Sequence, residues 1–175
     1  MPSSAPVPLA TLNGLDQAAF TRTLGEVFEH SPWVAARAWT RRPFASVDAL
    51  HAAMMEAVRA ASAEEQLTLI RAHPELAGRE AAEGTLTADS TSEQGRLGFT
   101  ALTRAEVDRI ARVNHAYREK FGFPCIVALR LHAARDAVIA EIERRVDNDR
   151  AAEVAAALDQ IGHITRGRLD KLVIR

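Results

Sequence analysis

Apolar residues recur every three or four positions along most of this chain, the period of an amphipathic helix. Phe20, Leu24, Val27 and Phe28 predict a first helix over about 16–29. Ser31-Pro32 reads as an N-cap and first helical residue, opening a short helix through Trp33 and Trp39 that the RRPF stretch at 41–44 ends. Ser46 caps a helix whose stripe is Val47, Leu50, Met54 and Val58. Ser62 and Glu65 form a capping box for a helix that turns Leu67 and Ile70 inward. Pro74 disfavours helix at His73, which places that histidine at a helix C-terminus.

A polar loop is expected over 82–90, then a second capping box at Ser90 and Glu93 and a third at Thr103 and Glu106. The helix from 104 to 121 carries Val107, Ile110, Tyr117 and Phe121. Gly122 and Pro124 break the pattern, and an extended apolar run follows. Helices over 133–146, with Ile139, Ile142 and Val146 inward, and over 150–173, with Val154, Leu158, Ile161, Ile164 and Leu172, complete the chain. The expectation is one compact all-α domain of about eight helices spanning 1–175, with 1–12 a loose arm.

Composition narrows the picture. With 175 residues the chain is long enough for its own core. Nine glycines and seven prolines are few for a many-turned β protein. Lys and Arg number 22 against 23 Asp and Glu, a net charge of -1, so no global field draws in nucleic acid or anionic lipid. The arginine pairs at 41–42 and 144–145 read as short solvated spots. One cysteine, Cys125, permits no intrachain disulfide and suits a reducing compartment such as the cytosol. The N-terminus lacks the pattern of a secretory signal, no stretch is apolar enough to span a membrane, and KLVIR is not a peroxisomal tail.

Common chemistry-bearing motifs are missing: no phosphate loop, no dinucleotide fingerprint, no nucleophile elbow, and no H-E-x-x-H zinc helix among histidines 30, 51, 73, 115, 132 and 163. The DND at 147–149 lacks the rest of a calcium loop and reads as a solvated helix start. What stands out is polarity on apolar stripes, since burial demands a partner. Asn114 lies between Ile110 and Tyr117, where a structural hydrogen bond to a neighbouring helix or loop is expected. Arg168 aligns with Ile161, Ile164 and Leu172, whereas Arg166 shares its face with Asp159, Gly162 and Asp170. Spacing alone leaves Arg168 open between a structural ion pair, a snorkelling stem and a functional group. If it is functional, water, an anion or Glu93 should stand against it in the empty site. His73 alone reads as a helix cap, Glu93 alone as part of its capping box, and Cys125 as an inert buried thiol.

Taken in order, several phrases resemble one family. HPELAG runs over 73–78, GTLT over 84–87 and STSEQ over 90–94; Asn114, Tyr117 and Lys120 precede FGFPCIVALR at 121–130, and Arg168-Leu169 lies in the last helix. This set is similar to the 2-oxo-4-hydroxy-4-carboxy-5-ureidoimidazoline (OHCU) decarboxylases of urate breakdown, from about residue 9 to 173. The resemblance implies an all-α fold, a homodimer, an enzyme with neither metal nor organic cofactor, and loss of CO2 to give (S)-allantoin. It assigns catalysis to His73, Glu93 and Arg168. It assigns substrate contact to Pro74, to Ser90, Thr91, Ser92, Glu93 and Gln94, and to the main chain of Cys125, Ile126, Val127, Ala128 and Leu129. Cys125 stands where the family usually has an aromatic residue, which puts the shape of the site there in question. Two other readings compete: a non-catalytic helical binding module on the same fold, which should have lost part of the motif set, and a hydrolase of a related ureide.

Overall fold

A computed structural model describes residues 6–175, and it is helical almost throughout. Among the described residues there are ten α-helices: α1 (Leu9–Gly14), α2 (Gln17–Leu24), α3 (Pro32–Ala38), α4 (Val47–Arg59), α5 (Ala63–Ala72), α6 (Arg79–Glu83), α7 (Ala88–Arg96), α8 (Arg104–Phe121), α9 (Arg135–Arg145) and α10 (Arg150–Leu172). The two beyond the expected eight are the short α1 and α6. Contacts divide the chain into two units, one of residues 1–72 with 165–175 and one of residues 73–164.

In the first unit, the expected loose arm is not loose where it is described. Val7–Pro8 (β1) pairs in parallel with Val173–Ile174 (β2), and α1 buries Leu9 and Leu12. Pro8 suits this role, because its backbone is extended and it serves as the N-cap of α1. The first five residues of the arm lie outside the described ones. The helix expected over 16–29 stops at Leu24, and Val27 and Phe28 are buried from a turn instead. Gly25 explains the stop. A Cβ there would lie 2.6 Å from the Thr21 carbonyl oxygen and 3.2 Å from Pro32 Cβ, so the chain folds back toward α3 only without a side chain. α4 begins at the predicted Ser46 cap and buries Leu50, Met54, Met55 and Val58. The Ser62–Glu65 capping box is present. On α5 the buried pair is Leu69 and Ile70, with Leu67 only half-buried.

In the second unit, α8 spans 104–121 as predicted, with its capping box at Thr103 and Glu106 and a left-handed C-cap at Gly122, φ 77°. It buries Ile110, Asn114, Tyr117 and Phe121, whereas Val107, expected inward, is 42% exposed. Tyr117, Phe121 and Phe123 form an aromatic cluster with centroids 4.5–6.0 Å apart. α9 buries Val138, Ile139, Ile142 and Arg145. The Asp149 side chain accepts from the Ala152 N–H at 2.8 Å, as its helix-start reading requires.

α10 carries the most informative difference. Its fully buried line is Glu153, Ala157, Ile161, Thr165 and Leu169, with Arg168 beside it, while Val154, Leu158 and Ile164 are only half-buried. The buried face is thus turned about one residue from the apolar stripe. Polar groups occupy it because they are bonded there, as shown next.

Candidate functional site

The segment around His73 begins where α5 ends. His73 is buried, directly after Ala72 and before Pro74. The rest of HPELAG is pinned to two helices. Gln94 Oε1 on α7 accepts the Ala77 N–H at 2.9 Å, and Asn114 Nδ2 on α8 donates to the Leu76 carbonyl at 2.9 Å. Arg118 reaches Glu75 from the next turn of α8. Asn114 therefore makes the structural hydrogen bond its position called for. Ala77 sits at φ 47°, a left-handed backbone that costs an alanine about 1–2 kcal/mol. Such strain persists only where surroundings over-determine it, and here Gln94 and Asn114 bind the flanking peptide groups.

α7 corrects one expectation. Its N-cap is Thr87, whose side chain accepts from the Ser90 N–H, so Ser90 is the third residue of the helix and does not cap it. GTLT ends in the true cap, a preferred residue that the reading passed over for Ser90. Glu93 is consequently not the acid of a capping box and needs another reason to stand there. Ser90 and Gln94, four apart on one face, are buried, and Glu93 is half-buried beside them. Thr91 and Ser92 are exposed, and the Thr91 hydroxyl bonds back to the Thr87 carbonyl.

At its other end α7 meets the second predicted segment. Arg96 donates to the carbonyl of Leu129 and, at 3.1 Å, to that of His132. Residues 123–128 have neither helix nor strand. Their peptide groups are met by side chains: Arg145 Nη1 donates to the Ile126 carbonyl at 2.7 Å, and Gln160 Oε1 accepts the Ala128 N–H at 2.8 Å. α7 thus joins the His73 loop to the irregular run at Cys125–Leu129. Cys125 is buried, and burial pushes its thiol up to about 12, so almost no thiolate forms near neutral pH.

Arg145 was expected to be solvated, and the structure overturns this. It is 3% exposed and holds Glu153, which is fully buried, through Nε at 3.0 Å and Nη2 at 2.8 Å. Tyr117 and Asn148 also donate to Glu153. Burial alone would raise the Glu153 carboxyl, but these donors outweigh it and hold the group below the usual carboxylate range. Arg42, of the other expected solvated pair, is part-buried and donates to the carbonyls of Asn13 and Leu15 at 2.7 Å each.

Arg168 lies in the first unit and points inward as its spacing predicted. It is 3% exposed and paired through Nη1 with Glu29 Oε2 at 2.7 Å; Glu29 is 1% exposed. The acid against it is therefore one that sequence reasoning had not weighed. Glu29 sits in the turn after α2, next to His30 at φ 47°. Arg166 is on the wetter side, bonded to Asp170 at 2.9 Å and Asp48 at 3.0 Å. Among the described residues no three His, Cys, Asp or Glu side chains gather as metal ligands.

A profile of the OHCU decarboxylase family matches residues 13–170. The chain is 44% identical over 161 residues to a 2-oxo-4-hydroxy-4-carboxy-5-ureidoimidazoline decarboxylase from Haloferax volcanii, covering 92% of this chain and 93% of that protein. A mouse protein of the same name is 34% identical, over 94% of this chain and 92% of its own length. Among solved structures, a crystal structure of (S)-allantoin synthase superposes with a TM-score of 0.73 at 29% identity, over 95% of this chain and 54% of that one. With the motif set in place and the all-α fold shared, the chain belongs to the OHCU decarboxylase family.

Proposed function

We propose that the chain decarboxylates OHCU in urate degradation, releasing CO2 and leaving (S)-allantoin. The observation that carries the reading is the convergence on α7. The loop after His73 and the run at Cys125–Leu129 are both bonded to the helix that bears Ser90, Glu93 and Gln94. In the reaction, the bond between the ring carbon and its carboxylate breaks. CO2 departs, its electron pair forms a C=C bond to the neighbouring imine carbon, and the C=N electrons move onto the ring nitrogen, which takes a proton. The resulting enol gives up its hydroxyl proton to become the carbonyl as the former imine carbon, which bears the ureido group, is protonated on one face. The substrate supplies its own electron sink, so the protein has to bind an anion, orient it and direct one proton to one face.

Arg168 suits the anion, because a guanidinium presents a planar fork to a carboxylate. His73 supplies the proton, the role of a general acid for which an imidazole is suited. Glu93 orients the substrate hydroxyl or a ring N–H, or takes the hydroxyl proton. Pro74, Ser90 and Gln94 line the approach, and the main chain of 125–129 reads the amide-rich ring. A backbone contact tolerates Cys125 in place of an aromatic side chain. The same resemblance supports a homodimer, the helical pattern a single domain, and the lone cysteine a reducing, cytoplasmic location. Freshly generated OHCU mixed with the purified chain tests the reading: CO2 release should outpace the spontaneous reaction and persist in EDTA. Release at the spontaneous rate would refute it.

A further inference from the structure

A run of backbone without helix or strand must find partners for its buried peptide groups. Turns do this locally in most loops. At 126–129 the Ala128 and Leu129 carbonyls close a 3-10 turn onto the Leu131 and His132 N–H groups, and in addition one side chain arrives from each of three helices: Arg96 from α7, Arg145 from α9 and Gln160 from α10. Each bonds a different peptide group, at Leu129, Ile126 and Ala128 respectively.

The Arg145 anchor is a costly one. Removing a guanidinium and a carboxylate from water carries a desolvation penalty that an apolar pair of similar size would avoid. Arg145 and Glu153 are both buried, and Glu153 accepts four hydrogen bonds: two from Arg145, one from Tyr117 and one from Asn148. A buried guanidinium must place its remaining donors, and Arg145 places one on the Ile126 carbonyl, so the pair holds irregular main chain as well as itself. Here Glu153 fixes the guanidinium, and the guanidinium fixes Ile126. Two residues on, Gln160 fixes Ala128 from the helix that also carries Glu153.

We propose that Gln160 and the Arg145–Glu153 pair are positioning residues, which set the main chain of Ile126–Ala128 for substrate. The substrate half of this rests on the decarboxylase reading above. Gln160 is the cleaner test, since it is half-buried and uncharged. In the full chain, Gln160→Leu removes the acceptor and Gln160→Glu retains one. Two readouts apply: amide hydrogen exchange over 123–131, and kcat and KM for OHCU, with a melting curve for each variant.

Gln160→Leu should speed exchange at 123–131 while leaving α8 and α9 protected. It should lower kcat/KM about 10–100-fold, the scale of a displacement of about 1 Å in a reacting site. Gln160→Glu should recover most of both. Wild-type kcat and KM in Gln160→Leu would overturn the proposal. So would a loss of activity matched by faster exchange throughout the unit, since that is a stability effect alone. A wild-type chain inert toward OHCU, with exchange at 123–131 still raised in Gln160→Leu, would overturn the decarboxylase reading and not the anchoring.

Discussion

Arg168 and Glu29 allow catalysis and stability to be separated. Both are almost fully buried and 2.7 Å apart. Arg168→Met takes the guanidinium away from the buried Glu29 carboxylate, and breaking a buried pair from one side costs about 3–5 kcal/mol. For a chain of this length each kcal/mol moves the melting temperature by about 2–4 °C, so the single variant should melt roughly 6–20 °C lower. Removing both charges is different, because replacing a buried pair with apolar groups of similar volume is often neutral or stabilising. The double variant Glu29→Met with Arg168→Met should therefore regain most of the lost melting temperature. Activity should not return. A charge-assisted hydrogen bond to substrate is worth about 1.5–3 kcal/mol, which corresponds to about 10- to 100-fold in kcat/KM. Steady-state kinetics on OHCU at a temperature where both variants are folded reads this directly. Arg166→Ala is the control, because its partners Asp48 and Asp170 are exposed and such pairs contribute about 0–1 kcal/mol. A double variant that is both stable and fully active would refute the assignment and leave Arg168 a purely structural cation.

His73→Asn should fold and lose about 10²–10⁴-fold in rate, as removal of a general acid does, whereas a mere helix cap would leave turnover near wild type. Cys125→Ser should stay active, and iodoacetamide should label the native wild-type thiol slowly, since that thiol is held at about 12; rapid inactivation by labelling would contradict this. Glu153 has a folded-state pKa below its ordinary 4.5, so the unfolded chain takes up the proton first as pH falls. Its contribution to stability is complete above about pH 4.5 and is lost as pH drops through the folded value. Urea midpoints measured from pH 6 to pH 3 should fall more steeply for wild type than for Glu153→Gln, and equal slopes would contradict the assignment.

Much of this was legible in the chain because long stripes are redundant. α8, α9 and α10 each repeat the helical period several times, and the structure places them within two residues of the expected bounds. Short elements lack that redundancy. α1 and α6 have six and five residues, too few for a stripe to emerge. The end of α2 depended on how closely Gly25 approaches Pro32, a tertiary fact.

The same divide holds for the site. The motifs single out His73, Glu93 and Arg168 one by one as candidates, and the turn of α10 shows Arg168 to be buried. Its counter-ion was not legible, since Glu29 lies 139 residues away, on a turn that periodicity assigned to a helix. Arg145 was missed because two adjacent arginines look alike in sequence while a helix points them about 100° apart. Its neighbour Arg144 is exposed. Glu153 at the start of α10 carried the one usable signal: it falls in register with Ala157 and Ile161, as an acid on a buried line that must be paired.

The central claim is that this chain directs the decarboxylation of OHCU to one stereochemical outcome. The most direct measurement adds the purified chain to urate, urate oxidase and hydroxyisourate hydrolase and follows optical activity with time. (S)-Allantoin should appear rapidly with the wild-type chain and about 10²–10⁴-fold more slowly with His73→Asn. Slow formation of racemic allantoin at the rate seen without the chain would contradict the claim.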